Sequence, residues 1–153
     1  MVDVGSKAPS FSLPGNGGST IEFPTGKPAV IYFYPKDDTP GCTTEAKEFT
    51  EMKADFDALG VEIIGMSPDT AAKHDKFSAK HDLGIALAAD EDQATLNAFG
   101  VWVEKSMYGK TYMGVERSTF LTDADGTVVQ VWRKVRVKGH VEAVLEAARE
   151  HFG

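Results

Sequence analysis

The sequence predicts an α/β chain: a central mixed β-sheet flanked by helices and preceded by an N-terminal β-hairpin. Three observations lead there. The run Pro28-Ala29-Val30-Ile31-Tyr32-Phe33-Tyr34 is continuously apolar and rich in β-formers, which suits a strand covered on both faces. Helical and strand-like patterns then alternate, as parallel crossover connections require. Towards the C-terminus, two β-rich runs flank Asp123-Ala124-Asp125-Gly126 as a hairpin, which adds antiparallel strands and makes the sheet mixed.

The elements follow in order. Phe11-Ser12-Leu13 and Thr20-Ile21-Glu22-Phe23 read as the first hairpin, with Pro14-Gly15-Asn16-Gly17-Gly18 as its turn. After the central run, Thr39 is placed to cap a helix with Pro40 at its first position, and Ala46, Phe49, Met52, Phe56 and Leu59 recur at helical spacing until Gly60. Val61-Glu62-Ile63-Ile64-Gly65-Met66 reads as a second buried strand. Ser67-Pro68-Asp69 opens a second helix running to about Leu83-Gly84, and the short apolar segment Ile85-Ala86-Leu87 precedes a helix from Gln93 to Phe99. Ser118-Thr119-Phe120-Leu121 and Val128-Val129-Gln130-Val131-Trp132 are the strands of the late hairpin. Val141, Val144, Leu145 and Ala148 form the stripe of a last helix beginning near His140. No repeat or low-complexity segment interrupts the pattern, and 153 residues at 42% hydrophobic match one domain, 1–153, with an ordinary core.

Sixteen basic against 23 acidic residues give a net charge of −7, which disfavours nonspecific binding to nucleic acid or to an anionic membrane surface. The N-terminal residues lack a basic region followed by an apolar segment. No apolar run approaches the roughly 20 residues that span a bilayer, so a cytoplasmic protein is expected.

Cys42, the only cysteine, ends the stretch Tyr34-Pro35-Lys36-Asp37-Asp38-Thr39-Pro40-Gly41-Cys42, where a strand turns into a helix. The ordinary use of a lone cysteine is as a small buried hydrophobe. Here charged and turn-forming residues precede it and Thr43-Thr44-Glu45 follow, so no apolar wall is evident and a reactive, exposed thiol is expected. In the first turn of a helix, unpaired amides and the positive end of the macrodipole favour a thiolate. Thr39 serves as a cap, as a hydroxyl donor to an anion at the same place, or as both. Pro35 ends the strand and stands to shield one side of the sulfur from water.

Arg117, one of four arginines, directly precedes a buried-looking strand. Either it is a snorkelling or ion-paired strand-end residue or it has a chemical task; spacing alone does not bring it to Cys42. Glu45 reads most simply as an exposed helix-start carboxylate, with contact to the arginine as the alternative. His74 and His81 are seven residues apart, which is not the spacing of a compact metal pair, and both read as surface histidines. Asp123-Ala124-Asp125-Gly126 starts like a calcium loop but lacks the later glutamate. No metal or cofactor is expected. A thioredoxin-like disulfide reductase is disfavoured outright, because Gly41 and Thr43 flank a single thiol and no Cys-x-x-Cys exists.

Pro35-x-x-x-Thr39-x-x-Cys42 is similar to the active-site motif of the peroxiredoxins, and Gly114-Val115-Glu116-Arg117-Ser118-Thr119-Phe120-Leu121 resembles the segment carrying that family's active-site arginine. The stretch from Tyr32 to Thr43 and Met107-Tyr108-Gly109-Lys110 narrow the resemblance to the Q-type branch, also called bacterioferritin comigratory proteins. It covers nearly the whole chain. The resemblance implies a thioredoxin-like fold, Cys42 as the peroxidatic cysteine, Thr39 and Arg117 holding thiolate and peroxide, and Pro35 shielding the sulfur. It further implies a thiol-dependent peroxidase for hydrogen peroxide and organic hydroperoxides, acting in antioxidant defence and redox homeostasis through a sulfenic acid, and a monomer. The different-class alternative is a peroxide-sensing redox module without sustained turnover.

Ionising the thiol is a limited lever. A cysteine of reference pKa near 8.5 is about 3% thiolate at pH 7, so full ionisation gives about thirtyfold, or roughly 2 kcal/mol. Orientation of the O–O bond and stabilisation of charge on the leaving oxygen must supply the rest.

Many members of the branch carry a resolving cysteine five residues after the peroxidatic one, where this chain has Lys47. Others carry it in the next helix, where Ser78 stands, as a natural one-cysteine sequence or as a Cys→Ser replacement. A sulfenic acid at Cys42 therefore needs a thiol from outside: thioredoxin, glutaredoxin, a small thiol or Cys42 of another copy.

Overall fold

The computed structural model describes residues 2–153. Strands β1 (Phe11–Pro14) and β2 (Thr20–Phe23) pair antiparallel as the expected first hairpin, with a single 3₁₀ turn at Asn16–Gly18 between them. Strand β3 (Ala29–Phe33) is followed by α1 (Pro40–Glu51), α2 (Lys53–Ala58), β4 (Glu62–Ser67), α3 (Ala71–His81) and β5 (Ala86–Ala89). Then come α4 (Ala94–Ala98), the hairpin β6 (Trp102–Met107) and β7 (Lys110–Val115), the pair β8 (Ser118–Thr122) and β9 (Val128–Trp132), and α5 (His140–Phe152). The central sheet runs β5-β4-β3-β8-β9, with β3, β4 and β5 parallel, β8 antiparallel to β3 and β9 antiparallel to β8.

β3 lies at the centre of this sheet, and alternation along it divides the core in two. Val30, Tyr32 and Tyr34 point to the face covered by α1 and α5, among Phe49, Phe56 and Val144. Ile31 and Phe33 point to the opposite face, among Leu96, Phe99 and Phe120. Burial on both faces is why this strand shows an unbroken apolar run in place of an alternating one.

Tyr32 stacks on Phe49 of α1 with ring centroids 4.6 Å apart and stands level with Gly65 of β4. A Cβ at Gly65 would lie 2.7 Å from both Cζ and Oη of that ring. Because Tyr32 is fully buried and held by the stack, it has nowhere to swing. Gly65→Ala is expected to destabilise the protein by about 1–3 kcal/mol, read as a lower urea midpoint with unchanged m-value; an unchanged midpoint would show that the stack yields freely.

The helix boundaries differ from the sequence reading. The helix expected from Thr39 to Gly60 is interrupted at Met52, just after Thr50 Oγ1 donates to the carbonyl of Ala46 at 2.8 Å, a back-bond that bends helices. The second helix starts later than Ser67-Pro68-Asp69: β4 keeps Ser67, and Thr70 caps α3 by accepting from the Lys73 amide at 3.1 Å. That helix ends at His81, where Asp82 takes a left-handed conformation, and the expected Gln93–Phe99 helix is Ala94–Ala98 with Gln93 as its left-handed N-cap. The β6–β7 hairpin was not expected as strands at all. Its two-residue turn, Tyr108-Gly109, has both φ angles positive, but the first position lacks the Asn or Asp that usually signals such a turn.

Candidate active site

Cys42 is the third residue of α1, after Pro40 and Gly41, with Thr39 extended at the N-cap. Arg117 reaches it through strand register. β8 pairs antiparallel with β3 so that Ser118 lies opposite Phe33, which brings the preceding Arg117 level with the segment where β3 turns towards α1. Arg117 Nη2 donates to Cys42 Sγ at 3.2 Å, and Nη1 donates to Glu45 Oε1 at 2.6 Å. Cys42 and Glu45 are one helical turn apart on the same face, so one planar guanidinium bridges both.

Two expectations are corrected here. Cys42 is 1% exposed, not an exposed thiol, and it belongs to the cluster containing Tyr34, Ala46 and Phe49. Glu45 is fully buried and ion-paired, not an exposed helix-start carboxylate. The polar neighbours Thr44 and Lys47 occupy the outer side of the helix, so polarity adjacent in sequence did not report on the inner face.

The ion pair is asymmetric. Burial pushes the Glu45 carboxyl up to about 7 in spite of the Arg117 guanidinium, consistent with its second oxygen, Oε2, having no hydrogen-bond partner. Burial also opposes the charge on Arg117, but Glu45 and Cys42 outweigh it and hold the guanidinium above its ordinary value. The difference has a physical origin: Arg117 has two acceptors and a side open to solvent, whereas Glu45 is enclosed with one oxygen unmatched.

The solvent side of Arg117 faces a groove of about 500 Å³ between the β6–β7 hairpin and the segment after β9, lined also by Val103, Lys105, Lys134 and Val135. Gly41 matters to the approach, since a Cβ there would stand 3.3 Å from Arg117 Nη2. Its proximity to the arginine was not legible from sequence spacing. Pro35 and Thr39 are half-buried in the segment leading to α1, and neither makes a hydrogen bond to the sulfur. Thr39 occupies the N-cap position, but its hydroxyl does not cap; Oγ1 donates to the Lys36 carbonyl at 2.8 Å and closes the turn before the helix.

One histidine also departs from the sequence reading. His74 is completely buried against Asp37 instead of lying on the surface. His140 is buried at the start of α5, with Nε2 2.8 Å from Thr119 Oγ1, and its pKa is pushed down to about 4 by burial and by the charge of Arg117. Lys47 is exposed, while Ser78 is half-buried, donating to the Leu83 carbonyl. Asp123 Oδ1 accepts from the amides of Asp125 and Thr127, as a hairpin turn requires. Among the described residues, no group of three or more His, Cys, Asp or Glu side chains could hold a metal ion, and no helix is long and apolar enough to cross a membrane.

The family model described as AhpC/TSA matches residues 4–131. A Bacillus subtilis protein named peroxiredoxin Bcp is 46% identical over 151 residues, covering 97% of this chain and 96% of the relative. A solved structure of Xanthomonas campestris peroxiredoxin Q is 47% identical with a TM-score of 0.89, covering 94% of this chain and 92% of the other. Two solved variants of that peroxiredoxin Q each have one cysteine replaced by serine, at positions 36 apart, the interval that separates Cys42 from Ser78 here. The thioredoxin-like fold, the arginine beside a helix-start thiol and these matches agree, and the chain belongs to the AhpC/TSA family as a peroxiredoxin of the Q-type branch.

Proposed function

We propose that this thiol-dependent peroxidase reduces hydrogen peroxide and organic hydroperoxides with Cys42 as its nucleophile and Arg117 as the group that orients the peroxide and stabilises the departing oxygen. The observation that carries the assignment is the bridging guanidinium, 3.2 Å from Sγ on one side and open to the groove on the other. The Cys42 thiolate attacks one peroxide oxygen; an S–O bond forms as the O–O bond breaks, and the other oxygen leaves, with a proton, as water or an alcohol. Cys42 becomes a sulfenic acid. An external thiol then displaces water from sulfur to form a mixed disulfide, and a second thiol attacks that disulfide, so that Cys42 leaves as a free thiol and the two external thiols end as the reductant disulfide.

Pro35 limits access of water to the sulfur. Thr39 contributes a hydroxyl once its proton leaves the Lys36 carbonyl. With no second cysteine in residues 1–153, the single domain uses one-cysteine turnover, as a monomer in the reducing cytoplasm, where thioredoxin, glutaredoxin or a small thiol supplies the electrons. Intact-protein mass spectrometry after one equivalent of peroxide is expected to find one added oxygen at Cys42, and addition of a thiol to restore the starting mass through a mixed disulfide. Peroxide consumption that stopped after one equivalent despite excess of each reductant would favour a sensor; oxygen added elsewhere, with Cys42 untouched, would sink the assignment.

A further inference from the structure

The segment leading to Cys42 is fastened to α3 by a buried cluster that makes no hydrogen bond to the sulfur. Tyr34 Oη donates to Asp37 Oδ1 at 2.6 Å, and the Asp37 amide donates to Asp69 Oδ2 at 2.8 Å. His74 Nδ1 stands 2.6 Å from Asp37 Oδ2, and its Nε2 stands 2.9 Å from the carbonyl oxygen of Ala88 on β5. A carbonyl can only accept, so Nε2 carries a proton; one further proton lies between Nδ1 and Asp37. Asp37 thus joins the end of β3, the loop before α3 and α3 itself, and through His74 it is tied to β5. The neighbouring Asp38 adds an outer, exposed attachment to Lys80 and His81 on α3.

The two halves of the reaction make opposite demands on this segment. Oxidation needs Cys42 held against Arg117. Reduction needs a thiol much larger than hydrogen peroxide to reach a sulfur that is 1% exposed, in line with its S–O bond, and the chain has no second cysteine to bring it there. The first turn of α1 must therefore open, and opening must start in the residues that Asp37 pins.

We propose that the Asp37–His74 pair is a latch on that turn, with His74 a positioning residue that sets how often an oxidised Cys42 is exposed to an external thiol. A closed latch favours attack on peroxide, and a loosened one favours reduction of the sulfenic acid. The proposal rests on the reading of Cys42 as the peroxidatic thiol.

The test times the halves separately: oxidation by stoichiometric hydrogen peroxide, then consumption of preformed sulfenic acid by 2-mercaptoethanol, both followed by rapid quench and mass spectrometry. His74→Asn, which loses the tie to β5, is expected to speed the second step about tenfold, a coupling of about 1.4 kcal/mol, while the first, which draws on the still predominant closed form, slows by less than about twofold. Tyr34→Phe, which removes one bond to Asp37 and keeps the ring, moves both rates the same way by less. Asp37→Asn is the conservative control: its amide accepts from Tyr34 and donates to a neutral Nδ1, so both rates stay within about twofold of the parent. Ordinary destabilisation would slow both halves. Rates that fall together or do not move in a folded His74→Asn or Tyr34→Phe protein overturn the latch. If the parent forms no sulfenic acid at Cys42, it is the peroxidase assignment that fails.

Discussion

Arg117→Ala slows oxidation of Cys42 by hydrogen peroxide by about 10²–10³, the usual loss when a preorganised donor to a developing oxyanion is removed. The fraction of Cys42 present as thiolate, followed by its ultraviolet absorbance, changes far less. The two effects have different ceilings: ionisation of an ordinary thiol accounts for about thirtyfold at pH 7, whereas a fork that holds sulfur and faces the incoming peroxide acts on the transition state itself. Arg117→Lys restores little, because an ammonium cannot span Sγ and Glu45 Oε1 as the two guanidinium nitrogens do at 3.2 and 2.6 Å. Equal losses in rate and in thiolate fraction would mean that Arg117 only ionises the sulfur. The variant also leaves Glu45 buried without its cation, so the comparison is repeated in a Glu45→Gln background to remove that burden.

Glu45→Gln abolishes a pH dependence of stability that the parent shows between about pH 4.5 and 7. The folded-state pKa is raised to about 7, above the unfolded value of 4.5, so over that interval the native protein binds the extra proton. Glu45 therefore contributes its full stability below pH 4.5 and loses it as pH rises through 7. The change is at most about 3 kcal/mol. His140 works in the opposite sense. Its folded-state pKa, lowered to about 4 from 6.5, gives stability that is present above pH 6.5 and lost as pH falls through 4. Urea titrations of the parent and of Glu45→Gln from pH 4 to 8 separate the two, since subtracting the curves removes His140. Parallel curves would show that Glu45 keeps its charge throughout. Glutamine preserves the acceptor for Arg117 Nη1 and puts an N–H where Oε2 has no partner, so it tests charge with little change in shape.

The central strand, the first hairpin, the late hairpin and the last helix were legible because each announces itself locally, through an apolar run, glycine-rich turns or a 3.6-residue stripe. The motif around Cys42 identified the thiol. Its burial was also written there: Cys42, Glu45, Ala46 and Phe49 follow the spacing of one helical face, and extending the stripe that begins at Ala46 back by one turn encloses both the thiol and the carboxylate. The pairing of Arg117 with Cys42 was different in kind, because it depends on the register of β8 against β3, a long-range fact that no window of sequence contains. His74 was misread because it was weighed only against His81; its spacing of three residues from Phe77 in α3 puts both on the buried face. The β6–β7 hairpin was missed because largely exposed strands such as Lys110–Val115, whose first four residues all face solvent, lack an alternation of apolar and polar positions.

A sulfur enclosed beneath the first turn of α1 also acts as a sieve. A hydroperoxide presents only its slender O–O end to it, whereas an alkylating reagent the size of a maleimide must wait for the helix to part. Reactivity at Cys42 is thus ranked by the girth of the reacting end before electrophilicity counts. An otherwise dangerous nucleophile can be carried through a cell crowded with electrophiles and still be spent on peroxide.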